Sequence, residues 1–383
     1  MTVIDSDQHL VEYRGLWRDH ADPADRDLVI ELVDDDLGWT RLMWHGRTLG
    51  LAEIQEPGRT AAIGARHELW REGRTNPVPY DEALPVDHWQ PRARAERLAG
   101  LGLDGAVLFP NYGLFWERQL SDSLPALRTN MGAWNRWCAT VAADGAGRLH
   151  PVGHLTLRDL DWFEAQVAEL SSAGVRLAMI APALVDGRPL SHPDLDRAWS
   201  AMVEHGVTPV FHVADQPRPF DDAWYTDSAD AFVPTVDAVF IWTAAALACT
   251  DLIVNGVFER HPDLRLGIVE LSAIWVPQFL LMLDGGVDFT SKLNGRPPSE
   301  LRHRPSDYLL EQVRVSSFAY ELPERIVRQL GGRDVLMACS DYPHSEGTSD
   351  PLGEYERSGR GMRPAGNPAF FGDNVRFLLR QDS

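Results

Sequence analysis

Val3-Ile4-Asp5-Ser6-Asp7-Gln8-His9 places a short β-branched run directly before a cluster of polar and ionisable residues, and the same arrangement recurs along the chain. Such a run reads as a buried strand whose end carries a functional group. With the first strand at Val3–Asp7, seven more candidates follow: Ala106–Phe109, Leu149–Gly153, Val175–Ile180, Val207–His212, Leu266–Glu270, Val313–Ser316 and Val335–Cys339. Helix-like stretches lie between them at Leu124–Ala142, Leu160–Ser171, Pro193–Glu204, Ala231–Arg260, Ile274–Leu283 and Glu324–Leu330. This alternation predicts parallel βα units, and the count of eight strands favours an α/β fold closed as a (β/α)8 TIM barrel. An open doubly wound sheet is disfavoured because no G-x-G-x-x-G or G-x-x-x-x-G-K-[ST] follows the first strand.

One span breaks the alternation. Residues from about 27 to 95 run from an acidic alternating segment through Gly- and Pro-rich stretches, with a turn candidate at Asp34-Asp35-Asp36. They read as an inserted cap after strand one, a small hairpin and loops over one barrel mouth, within a single metal-dependent barrel domain over residues 1–383. Asp350–Pro368 reads as an ordered loop, and Asn367–Leu379 as a final helix.

Composition removes several function classes. With 56 Asp and Glu against 36 Lys and Arg, the net charge of −20 repels nucleic acid and anionic membranes. The sole lysine is Lys292, so Schiff-base, P-loop and carbamylated-lysine chemistries have no other candidate. Cys138, Cys249 and Cys339 show no C-x-x-C spacing and predict neither a disulfide framework nor a zinc ribbon. The N-terminus lacks a basic and apolar leader, and no stretch approaches the roughly 20 apolar residues of a membrane span, so a soluble cytoplasmic protein is expected.

In a TIM barrel the functional groups stand where strands end at the C-terminal face. At period two, Asp5, Asp7 and His9 share one side of the first strand, and Asp7-x-His9 is a chelating pair. His212 ends the fifth strand, Glu270 ends the sixth, and Asp341 and His344 follow the eighth. Each alone could be a structural polar group, but a carboxylate at a buried strand end needs a cation or hydrogen bonds, and all six together predict a metal centre. Three carboxylates and three imidazoles without a thiolate suit Fe, Mn, Zn or Co, as two ions or as one six-coordinate ion. Asp5 and Glu12 are candidates for supporting or bridging positions. His261, His205 and His192 read as helix-terminus residues, and His154 is open between site and packing. Trp116, Trp224, Trp242 and Trp275 fall near the expected mouth and suggest an aromatic-lined pocket.

The opening Ile4-Asp5-Ser6-Asp7-Gln8-His9-Leu10-Val11-Glu12, the Phe211-His212 strand end, Val257-Phe258-Glu259-Arg260-His261-Pro262-Asp263-Leu264-Arg265 and Ser340-Asp341-Tyr342-Pro343-His344-Ser345-Glu346-Gly347 together resemble the amidohydrolase-related family. The resemblance covers essentially the whole barrel and implies a metal-dependent TIM-barrel hydrolase or nonoxidative decarboxylase. The chain departs from the decarboxylase pattern, which usually has a catalytic His after strand six where Glu270 stands here. That oxygen-rich set resembles a branch containing the nonheme diiron monooxygenases of platensimycin and platencin biosynthesis. The leading expectation is therefore a monooxygenase of antibiotic metabolism. Two Fe ions would be held by Asp7, His9, His212, Glu270, Asp341 and His344, with Asp341, Glu270 and His344 also catalytic. Its partners would be dioxygen, an electron donor, an apolar terpenoid or thioester-linked substrate and a second copy of the chain. The alternative is a mononuclear Zn or Mn hydrolase or decarboxylase in which Asp341 is the general base, oriented by His344 or Glu270.

Overall fold

The computed structural model describes residues 2–54, 61–114, 116–214, 218–227, 233–359 and 361–381, without the side chains of 61–65. Eight strands form one parallel sheet in the order β1 (Ile4–Leu10), β5 (Gly105–Pro110), β6 (Leu149–His154), β7 (Leu177–Met179), β8 (Thr208–His212), β9 (Leu266–Val269), β10 (Val313–Ser317) and β11 (Leu336–Ala338). The expected (β/α)8 barrel is thereby present, with all eight strands at the expected places. Ile4, Val107, Phe109, Val152, Met179, Val210, Val269 and Met337 face inward and pack into one buried apolar cluster. The barrel interior is thus a filled core, and chemistry is confined to its mouth.

The ring is completed by the residues that follow β11 rather than by a regular ladder. Asp341 N–H donates to the Asp7 carbonyl at 2.9 Å, and His9 N–H donates to the Tyr342 carbonyl at 2.7 Å. A bulge between Asp5 and Gln8 in β1 inserts one extra residue against β5. It reverses the alternation, so that Ile4, Asp7 and His9 point inward while Asp5 does not; the expectation that Asp5 shares their side is corrected on this ground.

The span after β1 holds a separate antiparallel sheet of β2 (Glu31–Asp34), β3 (Thr40–Trp44) and β4 (Arg47–Leu51). Its first turn is fixed by Asp35, whose Oδ1 accepts from Leu37 N and Trp39 N at 3.0 and 2.9 Å. The cap is tied to the barrel by Tyr80 OH, which donates to the Glu12 carbonyl at 2.6 Å, and by Tyr112 OH, which donates to the Glu53 carbonyl at 2.8 Å.

Two helix expectations are corrected. The stretch Ala231–Arg260, whose first two residues lie outside the described residues, is broken into helices Thr235–Val239, Thr243–Val254 and Val257–Arg260, the last break falling at Gly256 with φ +74°. The segment Asp350–Pro368 is not simply loop but contains a helix at Pro351–Arg357, capped by the Asp350 carboxylate. No helix among the described residues is long and apolar enough to cross a membrane.

His88, only 3% exposed, stands edge-on to the Tyr342 ring. Burial first, and then the Arg94 guanidinium, push its imidazole from the ordinary value near 6.5 down to about 4. Below about pH 6.5 the unfolded chain takes up a proton that the folded chain refuses until about pH 4, so stability is complete above 6.5 and lost on acidification through this window. The loss expected from this group is up to about 3 kcal/mol. Urea unfolding of His88→Gln and the parent at about pH 7 and about pH 4.5 checks it: the variant loses less stability on acidification.

Candidate metal centre

Four strands and the turns that follow them deliver the six expected side chains to one point. Asp7 and His9 come from β1 beyond the bulge, His212 ends β8, Glu270 follows β9, and Asp341 and His344 follow β11. His9 Nε2 lies 3.5 Å from Asp7 Oδ1, 3.2 Å from Asp341 Oδ1 and 3.9 Å from Glu270 Oε2. His212 Nε2 lies 3.4 Å from Asp7 Oδ1 and 3.2 Å from Glu270 Oε2. His344 Nδ1 stands 2.7 Å from Asp341 Oδ1, and its ring stacks on His9 with centroids 3.8 Å apart. The ligand atoms fall into two overlapping groups with mutual separations within 4.8 Å: Asp7, His9, His212 and Glu270, and His9, Glu270, Asp341 and His344.

Backbone and amide acceptors fix which imidazole nitrogen faces the centre. His9 Nδ1 donates to the Pro110 carbonyl at 2.9 Å and His212 Nδ1 to the Val213 carbonyl at 2.8 Å, leaving each Nε2 lone pair pointed inward. His344 Nε2 donates to Asn111 Oδ1 at 2.8 Å, which turns its Nδ1 toward Asp341. Asp7 Oδ2, His9 Nε2, Glu270 Oε2, both Asp341 oxygens and His344 Nδ1 are buried without a hydrogen-bond partner. Six convergent orphan atoms, all good ligands for a hard or borderline divalent ion, fit a metal.

The electrostatics agree. Asp341 is held well below the ordinary carboxylate range by the imidazoles of His344 and His9, which outweigh its burial. Asp7 is lowered by His212 and His9 against its burial. Burial, then the charges of Asp341 and Asp7, push Glu270 well above its ordinary value, so without a cation this carboxyl keeps its proton. Carboxylates driven in opposite directions within one cluster mark a site that holds cations or moves protons.

Two of these acids stand on strained backbone: Glu270 has φ +56° and Asp341 φ +58°, a region that costs non-glycine residues about 1–3 kcal/mol. Surrounding groups hold them there. Glu270 N–H donates to Ser316 Oγ at 2.9 Å. Beyond it, the Glu321 carboxylate accepts from Ser272 Oγ, from Ala273 N at 3.2 Å, from Ser317 Oγ at 2.9 Å and from Phe318 N at 3.1 Å. Asp5 accepts from Asp7 N, Gln8 Nε2, Ser340 N and Ser340 Oγ, joining the two ends of the chain below the centre. Glu12 is spent on Tyr112 N and Gly113 N, both at 2.9 Å. Asp5 and Glu12 are therefore supports rather than ligands. Asn111, Ser316 and Glu321 were not marked by the sequence; an Asn directly after a strand is the one signal that pointed to any of them.

Gly347 closes the turn that carries Asp341 and His344. A Cβ there would lie 2.3 Å from the Asp341 carbonyl oxygen, so Gly347→Ala must displace that backbone. The expected outcome is Mn2+ affinity lower by about tenfold or more, measured by isothermal titration.

Of the other histidines, His261 Nε2 lies 3.2 Å from Asp196 Oδ1 and His192 caps the turn at Pro193–Leu195, as their helix-terminus reading expected. His205 is the last residue of the helix Asp196–His205. Trp242 and Trp275 stack on each other and Trp116 is buried against His154, but Trp224 is 69% exposed and does not line a buried pocket.

Fold and ligand set define a TIM barrel with a metal-type cluster at its mouth. The family model described as amidohydrolase matches residues 68–379, and the chain belongs to that family. A comparison with curated proteins gives no match. Among solved structures, an amidohydrolase from Mycobacterium avium subsp. paratuberculosis K-10 aligns at 22% identity over 99% of each chain with a TM-score of 0.76. A 5-carboxyvanillate decarboxylase from Novosphingobium aromaticivorans DSM 12444, solved with manganese and 4-hydroxy-3-methoxy-5-nitrobenzoic acid, aligns at 18% identity over 85% of this chain and 94% of its own, TM-score 0.62. A dihydroxybenzoic acid decarboxylase from Polaromonas sp. JS666, with manganese and 2-nitroresorcinol, aligns at 14% identity over 100% and 98%, TM-score 0.64. At these identities the likeness carries the fold.

The expectation of a nonheme diiron monooxygenase is overturned. The matching family is that of amidohydrolases, and two of these neighbours are decarboxylases carrying manganese rather than an iron pair. The two ligand groups share His9 and Glu270, and with its Nδ1 committed to Pro110 the His9 ring has one lone pair to offer an ion. The resemblance to the platensimycin enzyme falls with it, as do two Fe ions, oxidoreductase activity and a place in antibiotic biosynthesis.

Proposed function

We propose that this chain is a mononuclear, divalent-metal-dependent enzyme that decarboxylates a small carboxylic acid without oxidation, with Mn2+ the preferred ion. The observation that carries the proposal is the convergence of ligand atoms from Asp7, His9, His212 and Glu270, with Asp7 Oδ2, His9 Nε2 and Glu270 Oε2 buried and unpartnered, beside the Asp341–His344 pair. The manganese of both decarboxylase neighbours and the hydroxybenzoic acid bound to one of them favour the same reading.

Asp7, His9, His212 and Glu270 would hold the ion. Once bound, it supplies a Lewis acid that anchors the substrate's carboxylate and neutralises charge at the mouth. The chain's own residues supply the rest. As the bond between carbon and carboxylate breaks and CO2 departs, the carbon left behind must take up a proton. Asp341 Oδ1 and His344 Nδ1 lie 2.7 Å apart, and Asn111 holds the far side of the ring. This pair is placed to deliver that proton, while the cap and the buried Phe109 side chain limit access of water. Water activation by Asp341 for hydrolysis uses the same groups and is the second reading that family membership favours.

The deciding experiment incubates the full chain with Mn2+ and 5-carboxyvanillate or 2,6-dihydroxybenzoate under nitrogen and follows CO2. Anaerobic CO2 release that chelation abolishes is the expected result. Ester, lactone or amide hydrolysis with no CO2 from any acid tested would replace decarboxylation by hydrolysis.

A further inference from the structure

The metal-type ligands lie on or just after β1, β8, β9 and β11, whereas β5, β6 and β7 end in Pro110, His154 and Met179. His154 is the ionisable group among these three ends. It continues the inward row of Val152 on β6, two residues before it, and is 1% exposed.

Its placement is unusually controlled. Asn135 grips both sides of its backbone, with Oδ1 accepting from His154 N at 2.7 Å and Nδ2 donating to the His154 carbonyl at 3.1 Å, and Gln166 in turn holds Asn135 at 2.9 Å. Glu117, from the segment after β5, sets the tautomer: its Oε2 stands 3.4 Å from His154 Nε2, so the ring proton faces the carboxylate and Nδ1 presents a lone pair. That Nδ1 is buried with no partner. Trp116, 0% exposed, packs on the same imidazole with ring centroids 5.3 Å apart, and its Nε1–H is likewise buried without an acceptor. A buried indole N–H normally finds a partner, and a buried imidazole nitrogen does too.

One unpaired donor and one unpaired acceptor on touching rings complement a hydroxyl group, which both accepts and donates. We infer that Trp116 and His154 form a substrate subsite for a hydroxyl: its oxygen accepts from Trp116 Nε1–H, and its O–H donates to His154 Nδ1. Glu117 is the positioning residue, acting through the imidazole. The inference rests on the reading of this mouth as a site for small carboxylic acids and adds to it that the acid carries a hydroxyl.

The test is isothermal titration of the full chain, with and without Mn2+, against benzoate and 2-, 3- and 4-hydroxybenzoate. At least one hydroxybenzoate should bind the parent about tenfold or more tighter than benzoate, because an unmatched buried donor and acceptor penalise the analogue lacking the hydroxyl. Trp116→Phe and His154→Phe should each cut that advantage to about threefold or less while benzoate binding changes less than about twofold. Thermal unfolding confirms that the variants fold, and Trp116→Phe, which keeps the ring and loses only the N–H, stands if His154→Phe does not. Glu117→Gln should weaken the preference and shift its pH dependence, which a packing role would not do. A hydroxyl preference that survives in Trp116→Phe, or its absence in the parent, overturns the subsite. Failure of the parent to bind Mn2+ in the same titrations would instead overturn the metal reading, while the hydroxyl preference stays measurable in the metal-free chain.

Discussion

Asp341→Asn should fold, bind Mn2+ within a few-fold of the parent and turn over its substrate about 10²–10⁴ times more slowly, the range typical for losing a positioned proton-transfer group. Asparagine matches the shape of Asp341, but it carries neither the charge nor the exchangeable proton of a carboxyl opposite His344 Nδ1 at 2.7 Å. The imidazoles of His344 and His9 hold Asp341 ionised against complete burial. A variant that retains a tenth of the activity would remove Asp341 from the proton path.

The second large effect concerns the ion. His212→Ala deletes an inward Nε2 that lies 3.4 Å from Asp7 and 3.2 Å from Glu270, and Mn2+ affinity should fall by roughly 100-fold or more. The parent's own affinity should depend on pH in a definite direction. Glu270 sits well above its ordinary value when no metal is bound, so a cation must displace its proton. Affinity should rise with pH by up to about tenfold per unit while Glu270 is protonated and flatten above its pKa. Titrations in buffers of different ionisation enthalpy count the released proton directly. Affinity that falls as pH rises would mean that Glu270 is not a ligand.

Much of this centre is legible in the sequence. The eight strands can be read because buried parallel strands are short β-branched runs, and the ligands because several ionisable groups at the ends of such runs seldom serve packing alone. What strict alternation could not give was the β1 bulge, which swings Asp5 away from the centre while keeping Asp7 and His9 on it. Nor could spacing show that Glu270 and Asp341 sit on left-handed backbone held by Ser316, Glu321 and Asp7, because those contacts join residues far apart in the chain. The choice of iron and dioxygen failed for a different reason. Counting ligands says how many lone pairs are present, not which ion they hold or how many ions share them.

The seam that completes the barrel has a consequence in time. Asp341 N–H bonds the Asp7 carbonyl, and His9 N–H bonds the Tyr342 carbonyl, so the first and last strands are joined through the metal-type ligands themselves. A nascent chain carries Asp7 and His9 almost from the start of synthesis, yet neither has its neighbours until residues 340–344 have emerged some 330 positions later. In partly made or C-terminally clipped molecules the backbone under Asp7 and His9 therefore lacks the partners that hold it. Closure of the ring supplies those partners, and an ion bound between the strands acts as a clasp that resists its reopening.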